Sequence, residues 1–315
     1  MTSDVALPKE KVYRPAKWRL FLERESSLGY AMVAPAGLIL ILFIAYPFIL
    51  GIRMSLSHWL VGQEPVFVGL QNFIRNADST IFTRTVQNTF IYTAATTVLK
   101  LGFGMALALV LNNTFRGKGL VRAAFLLPWI IPTVLSTLAW LWMFDATFSV
   151  LNWFLRYLGI VQRGISWLGD PVLAMISIIV VNAWRGIPFF AISLLAGLQT
   201  ISQELYEAAA IDGANAVQRF RYITLPMVKP VLLVVLLFSI IWTFADFQLV
   251  YVLTRGGPAN STHLFATLAY QVGVVSGSLG EGAAISLTMF PILVVIVVIL
   301  LMYLRKERAH ATAPT

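Results

Sequence analysis

The chain has 315 residues, of which 58% are hydrophobic and only 12% charged, with a formal net charge of +9 and a mean hydropathy of +0.80. Soluble domains carry about 25% charged residues, so the composition argues against a water-soluble enzyme and for an integral membrane protein. The lack of cysteine excludes disulfides and thiolate metal sites, and three scattered histidines, His58, His263 and His310, offer no metal cluster.

Six apolar stretches, at 29–55, 86–111, 120–144, 172–198, 226–253 and 283–304, are long enough to cross about 30 Å of hydrocarbon as helices. The expected fold is an all-α integral membrane protein with six transmembrane helices, one membrane domain (29–304) between an N-terminal tail (1–28) and a C-terminal tail (305–315). The first stretch is too long for a cleavable signal peptide, and no small-residue cleavage site follows it. In the second, Lys100 is expected to snorkel or to face a partner subunit, and Gly102, Gly104, Ala106 and Ala108 suggest close helix packing. Trp129, Trp140 and Trp142, near the ends of the third, read as an interfacial belt. Asp145, Asp170 and Glu281 fall at helix ends or loops and are expected to be solvated.

The fourth stretch carries Asn182, Trp184 and Arg185 followed by Gly186 and Pro188. Glycine and proline loosen a helix, and freed backbone in a membrane is tolerated where it lines a protected cavity. In the fifth, Ser239, Trp242, Thr243 and Asp246 fall at i, i+3, i+4 and i+7, one face of a helix. An aromatic plate beside hydroxyl and carboxylate groups suits a sugar, whose C–H faces stack while its hydroxyls hydrogen-bond. The same stripe could instead join helices of two subunits, and Arg185 and Asp246 could neutralise each other across two spans.

Between the fourth and fifth stretches, residues 203 to 222 are too polar to cross a bilayer and read as a short amphipathic helix, a turn and a second helix. Ala208, Ala209 and Ala210 give a surface with little bulk, Gly213 permits a backbone turn, and Pro226 stands where the next helix begins. Fifteen lysines and arginines fall on the side of the two tails and the 112–119 and 199–225 loops, and six on the other. The excess marks the cytoplasmic side, so both termini and the 203–222 loop are expected in the cytoplasm. The net positive charge then follows from topology and attraction to anionic lipid, and no nucleic-acid partner is expected. No G-x-x-x-x-G-K-[ST] phosphate loop occurs and no catalytic groups converge, so no catalytic residue is expected and any ATP is hydrolysed by another chain.

The spacing Glu207-Ala208-Ala209, then Asp212-Gly213, then Ile223-x-Leu225-Pro226 resembles the EAA loop of ABC importer permeases, whose coupling helix docks into the ATPase subunit. Further segments, in order, are similar to the carbohydrate-uptake branch that includes maltose importers. They are Ala34-Pro35-Ala36, Tyr46-Pro47, Val68-Gly69-Leu70-x-Asn72-Phe73, Asn88-Thr89, Asn182-x-Trp184-Arg185-Gly186-x-Pro188-Phe189 and Leu253-Thr254-x-Gly256-Gly257-Pro258. The resemblance runs from about residue 30 to 305. It implies one half of a membrane heterodimer, two ATPase subunits that hold ATP and magnesium, and an extracytoplasmic binding protein that delivers a carbohydrate; this chain would bind no cofactor or metal. It also implies a substrate path along Asn182, Arg185, Gly186, Phe189, Ser239, Trp242, Thr243 and Asp246. There the chain departs from the maltose type: Arg185 replaces an apolar residue, Phe189 a tyrosine, and Thr243 and Asp246 two asparagines. A neutral sugar or polyol fits the stripe, and an anionic sugar or sugar phosphate held by Arg185 is the alternative. An ion-coupled secondary carrier is the alternative of another class, although no repeat links the first three spans to the last three.

Overall fold

A computed structural model of the chain describes the backbone from residue 25 to 312 and the side chains from 29 to 306. The expected N-terminal tail, with its basic residues from Lys9 to Arg24, lies outside the described residues up to position 24, as does the extreme C-terminus. The chain divides into two compact units, residues 1–53 and 54–315. In the first, α1 (Glu25–Leu40) runs through a π turn (Ile41–Ala45) into α2 (Tyr46–Ser55). Pro47 has no N–H to give the regular ladder, which is a common origin of such a widened turn. Leu38, Phe43, Ile44 and Ile49 are exposed; a helix apolar all round suits lipid rather than water.

The second unit begins with β1 (Ser57–His58) paired antiparallel to β2 (Val66–Phe67), a small strand element absent from the all-α expectation. Helices follow in the order α3 (Gln71–Ala77), α4 (Thr80–Asn112), α5 (Lys118–Ile130), α6 (Thr133–Met143), α7 (Val150–Tyr157) and α8 (Pro171–Leu198). Then come α9 (Gln203–Ile211), α10 (Ala216–Arg219), a π turn (Phe220–Thr224), α11 (Leu225–Phe244), α12 (Gln248–Leu253), α13 (Phe265–Tyr270) and α14 (Leu279–Thr312).

Among the described residues, five helical stretches are long and apolar enough to cross a membrane: 29–55, 80–112, 171–198, 216–244 and 279–306. The expected third span is not one helix, for α5 and α6 meet at a bend of 93°. Pro132 is the cause: its ring disfavours helical geometry in the preceding residue, and Ile131 is extended, with ψ 131°. The fifth span ends at Phe244 rather than 253, because Ala245 leaves helical geometry at φ −97° and ψ 14° and the chain restarts as α12.

α4 and α8 pack along most of their length, with α11 against both. As far as Lys100 the buried face of α4 is its polar one: Thr85, Thr89, Tyr92, Thr96 and Lys100 are buried, while Phe90, Ile91, Val98 and Phe103 are exposed. That inversion fits a lipid-facing chain, in which helices meet through small and polar residues. The Thr89 and Thr96 hydroxyls donate to the Thr85 and Tyr92 carbonyls one turn back, which satisfies them within the helix. Of the small-residue run, only Gly104 and Ala108 are buried, and Gly102 and Ala106 are exposed. A Cβ on Gly104 would lie 2.4 Å from the Phe190 Cβ, so glycine sets how closely α4 and α8 approach.

Side chains then tie the loops to this centre. Asn72 donates to the Ser55 and Ser57 carbonyls at 2.8 Å each. Glu281, expected to be solvated, pairs with Arg75. Asp170 accepts from Val172 N and Leu173 N and so caps α8, and Asp145 accepts from Thr147 N and Phe148 N. Asn88 donates to the Ser261 carbonyl at 2.8 Å and to that of His263 at 3.3 Å. Gly256, at φ +88°, lies against the His263 ring, where a Cβ would come within 2.1 Å of Cε1. Asn88-Thr89 and the Thr254–Pro258 segment therefore belong to one packed unit.

Candidate functional site

A cavity of about 450 Å³ opens among α4, α8, α11 and the α5–α6 break, within the range of small-molecule sites. Asn182, Arg185, Gly186, Phe189, Ser239, Trp242, Thr243 and Asp246 all line it. The wall also includes Lys100, Trp129, Thr133, Phe247 and Gln248, which the sequence did not place there.

On the polar side, Asp246 is not on the α11 helix face, because the helix has already ended; the break itself carries the carboxylate into the wall. Its Oδ2 accepts from the Tyr92 hydroxyl at 2.7 Å and from Asn182 Nδ2 at 2.8 Å, and its Oδ1 from Leu249 N at 3.4 Å. The salt bridge considered between Arg185 and Asp246 does not form. Neutral donors from α4 and α8 reach the carboxylate instead.

Lys100 neither snorkels nor faces outward. It is 5% exposed, and its Nζ donates to Thr243 Oγ1 at 2.9 Å. The lysine stem crosses Gly186, where a Cβ would stand 2.4 Å from Cε and 2.7 Å from Cδ; the missing side chain makes room for it. Arg185 Nε, Asn182 Oδ1 and Ser239 Oγ are buried without a hydrogen-bond partner. Thr133 and Gln248 add further polar side chains to the wall, so a guest meets hydrogen-bonding residues as well as charge.

The other side is aromatic. Trp129 stacks on Phe189 with centroids 5.1 Å apart and planes 16° from parallel, and Trp242 lies 5.8 Å from Trp129 and 5.3 Å from Phe189. The three tryptophans expected as an interfacial belt have different surroundings. Trp129 lines the cavity while remaining 40% exposed, Trp140 packs edge-on against Trp184 at 5.4 Å, and Trp142 is the most open of the three, at 82% exposure.

Away from the cavity, α9 and α10 form an exposed helix–turn–helix. The Ser202 hydroxyl accepts from Glu204 N at 3.3 Å and caps α9. Gly213 makes the turn at φ +83°, and Asn215 with Gln218 forms a capping box on α10. Glu207, Ala208, Ala210 and Asp212 are exposed, Ala209 and Ile223 are half-buried, and Leu225 and Pro226 are exposed. Tyr206 anchors the arrangement through a 2.9 Å bond between its hydroxyl and Thr224 Oγ1. No group of three or more metal-binding side chains occurs among the described residues.

The family model for the inner membrane component of binding-protein-dependent transport systems matches residues 100–309. A trehalose/maltose transport system permease protein of Thermococcus litoralis is 37% identical over 287 residues, 90% of this chain and 95% of that one. A sulfoquinovosyl glycerol transport system permease protein of Agrobacterium fabrum is 34% identical over 297 residues, 92% of this chain and 95% of that one. The fold is similar to that in the crystal structure of a bacterial ABC transporter involved in the import of the acidic polysaccharide alginate. The TM-score is 0.79 over 92% of this chain and 99% of that one, at 23% identity.

Proposed function

Because the chain belongs to the family of inner membrane components of binding-protein-dependent transport systems, as an ABC permease of the carbohydrate-uptake type, we propose that its 450 Å³ cavity is the passage through which a saccharide crosses the membrane. ATP hydrolysis in such systems belongs to a separate subunit, and this chain supplies the path. The observation that carries the reading is the cavity wall itself: stacked Trp129 and Phe189 with Trp242 on one side, and the polar residues Asn182, Arg185, Ser239 and Gln248 on the other. A sugar ring presents C–H faces to the first and hydroxyls to the second.

The proposed assembly pairs this chain with a second permease subunit, two ATPase subunits in the cytoplasm and an extracytoplasmic binding protein. Residues 29–304 form the membrane domain, and both tails face the cytoplasm. The α9 helix is the coupling element. Its exposed Glu207 and Ala208, with Ala209, enter a groove of the ATPase; Asp212 and Gly213 turn the chain; and Ile223, Leu225 and Pro226 pass the motion into α11. Docking of the loaded binding protein and ATP-driven closure of the ATPases turn the cavity outward to receive the saccharide, and hydrolysis returns it inward. The exposure of α9, its two capped helices and the positive φ of Gly213 support that role.

Reconstitution of the four-component assembly in proteoliposomes tests the proposal. Uptake of a labelled saccharide that requires both ATP and the binding protein is the expected result. Uptake driven by an ion gradient without ATP would favour a secondary carrier, and no saccharide uptake by an assembled, ATP-hydrolysing complex would refute the sugar path.

A further inference from the structure

Three charged side chains line the cavity: Lys100, Arg185 and Asp246. Asp246 spends Oδ2 on two neutral donors, the Tyr92 hydroxyl and the Asn182 amide. Lys100 is held by a neutral acceptor, the Thr243 hydroxyl at 2.9 Å, three residues before Asp246 in the chain, where it offsets the carboxylate charge. Arg185 is left over. It forms no ion pair, and its Nε is buried without a partner. Two cations against one carboxylate give the wall a surplus positive charge, in a site whose other lining is aromatic and neutral polar in similar measure. Charge withdrawn from water is costly unless a counter-charge comes with it. A guanidinium is moreover the side chain best shaped to grip a planar or tetrahedral acid group through two parallel N–H bonds.

We propose that the saccharide carried through this cavity bears an acid group, a uronate carboxylate or a sulfonate, and that Arg185 receives it while Trp129, Phe189 and Trp242 hold the ring. The inference rests on the cavity being the sugar path. The aromatic wall distinguishes this guest from a bare inorganic anion, which offers nothing to stack. Tyr92 and Asn182 already hold Oδ2 of Asp246, and no salt bridge joins that carboxylate to Arg185.

The test uses the complete reconstituted assembly with its own binding protein. A panel pairs each acidic saccharide with its neutral counterpart, for example a disaccharide ending in glucuronate and the same disaccharide ending in glucose, alongside a sulfonated sugar. Binding-protein affinity is measured separately for each, so that selection in the membrane is separated from selection outside it. Wild-type assembly is expected to take up an acidic saccharide at least about tenfold faster than its neutral partner at equal binding-protein occupancy. Arg185→Gln is expected to cut acidic uptake at least about tenfold, as loss of a charged hydrogen bond predicts, and Arg185→Lys to restore part of it. Equal wild-type uptake of both partners, or equal loss of both in an assembled Arg185→Gln complex, would overturn the proposal. Should Arg185→Gln not assemble, the wild-type panel decides alone. Failure of every saccharide, acidic and neutral, would instead bring down the sugar path on which the inference stands.

Discussion

Lys100 and Gly186 form a contact whose energetics can be isolated by a double-mutant cycle. In Gly186→Ala the new Cβ would stand 2.4 Å from Lys100 Cε, 2.7 Å from Cδ and 3.1 Å from Cγ, inside the 3.5–4.0 Å of ordinary carbon contact. The atoms struck belong to a flexible stem, so the lysine moves and the helices stay. Its Nζ then leaves Thr243 Oγ1, a loss of about 1.5–3 kcal/mol for a hydrogen bond to a charged group. Alanine regains about 1 kcal/mol over glycine within a helix, so the net cost in the wild-type background is about 0.5–2 kcal/mol. In a Lys100→Ala background neither the clash nor the bond exists, and the same substitution stabilises by about 1 kcal/mol. The cycle therefore carries a coupling of about 1.5–3 kcal/mol. Unfolding of the purified chains by titration with a denaturing detergent reads all four corners. Gly104→Ala serves as the control, since its Cβ meets the Phe190 Cβ at 2.4 Å and Lys100→Ala gives it no relief. Additivity of Gly186→Ala and Lys100→Ala within about 0.5 kcal/mol would refute the placement of the lysine stem across Gly186.

Three further outcomes are expected. Gly213→Val places a β-branched residue at φ +83°, a strain of about 1–2 kcal/mol, and should uncouple ATP hydrolysis from uptake while assembly persists; full transport by an assembled complex would remove Gly213 from the coupling role. Glu207→Lys, exposed on α9, should weaken co-purification of the ATPase by charge reversal, and unchanged recovery would put the contact elsewhere. His263, in the loop before α13, is 2% exposed, and burial pushes its imidazole down from the usual 6.5 to about 4. Both folded and unfolded chains hold it neutral above pH 6.5. As pH falls from 6.5 toward 4, only the unfolded chain gains the proton, so up to about 3 kcal/mol of stability is lost across that window and nothing further below it. The melting temperature of wild type should drop through this range, and a parallel drop in His263→Gln would assign the loss to other groups.

The apolar periods of the chain made most of the spans legible, since a run of about 20 apolar residues reads the same whatever packs around it. The bend at Ile131–Pro132 was not, because apolar residues on both sides of the proline keep the hydropathy high across it. Nor was the end of α11, where Ala245-Asp246-Phe247 contains no glycine or proline; the hydrogen bonds of Asp246 to Tyr92 and Asn182 are tertiary and belong to no local pattern. The cavity residues on α8 and α11 stood out as polar and aromatic groups in apolar helices. Tyr92 and Lys100 left a fainter signal, the buried polar stripe Thr85, Thr89, Tyr92, Thr96 and Lys100, whose steps of three and four residues mark one helix face. Only the packing of α4 on α8 brings the Lys100 end of that stripe into the cavity wall.

Substrate protection of a single cysteine measures most directly whether a saccharide occupies this cavity. The chain contains no cysteine, so Gln248→Cys places one thiol at an exposed position of the wall without altering the aromatic or charged groups. In the reconstituted assembly, the transported saccharide should slow modification of that thiol by a membrane-impermeant methanethiosulfonate several-fold, and completed modification should stop uptake. Modification at the same rate with and without saccharide, together with uptake that persists after labelling, would contradict the account.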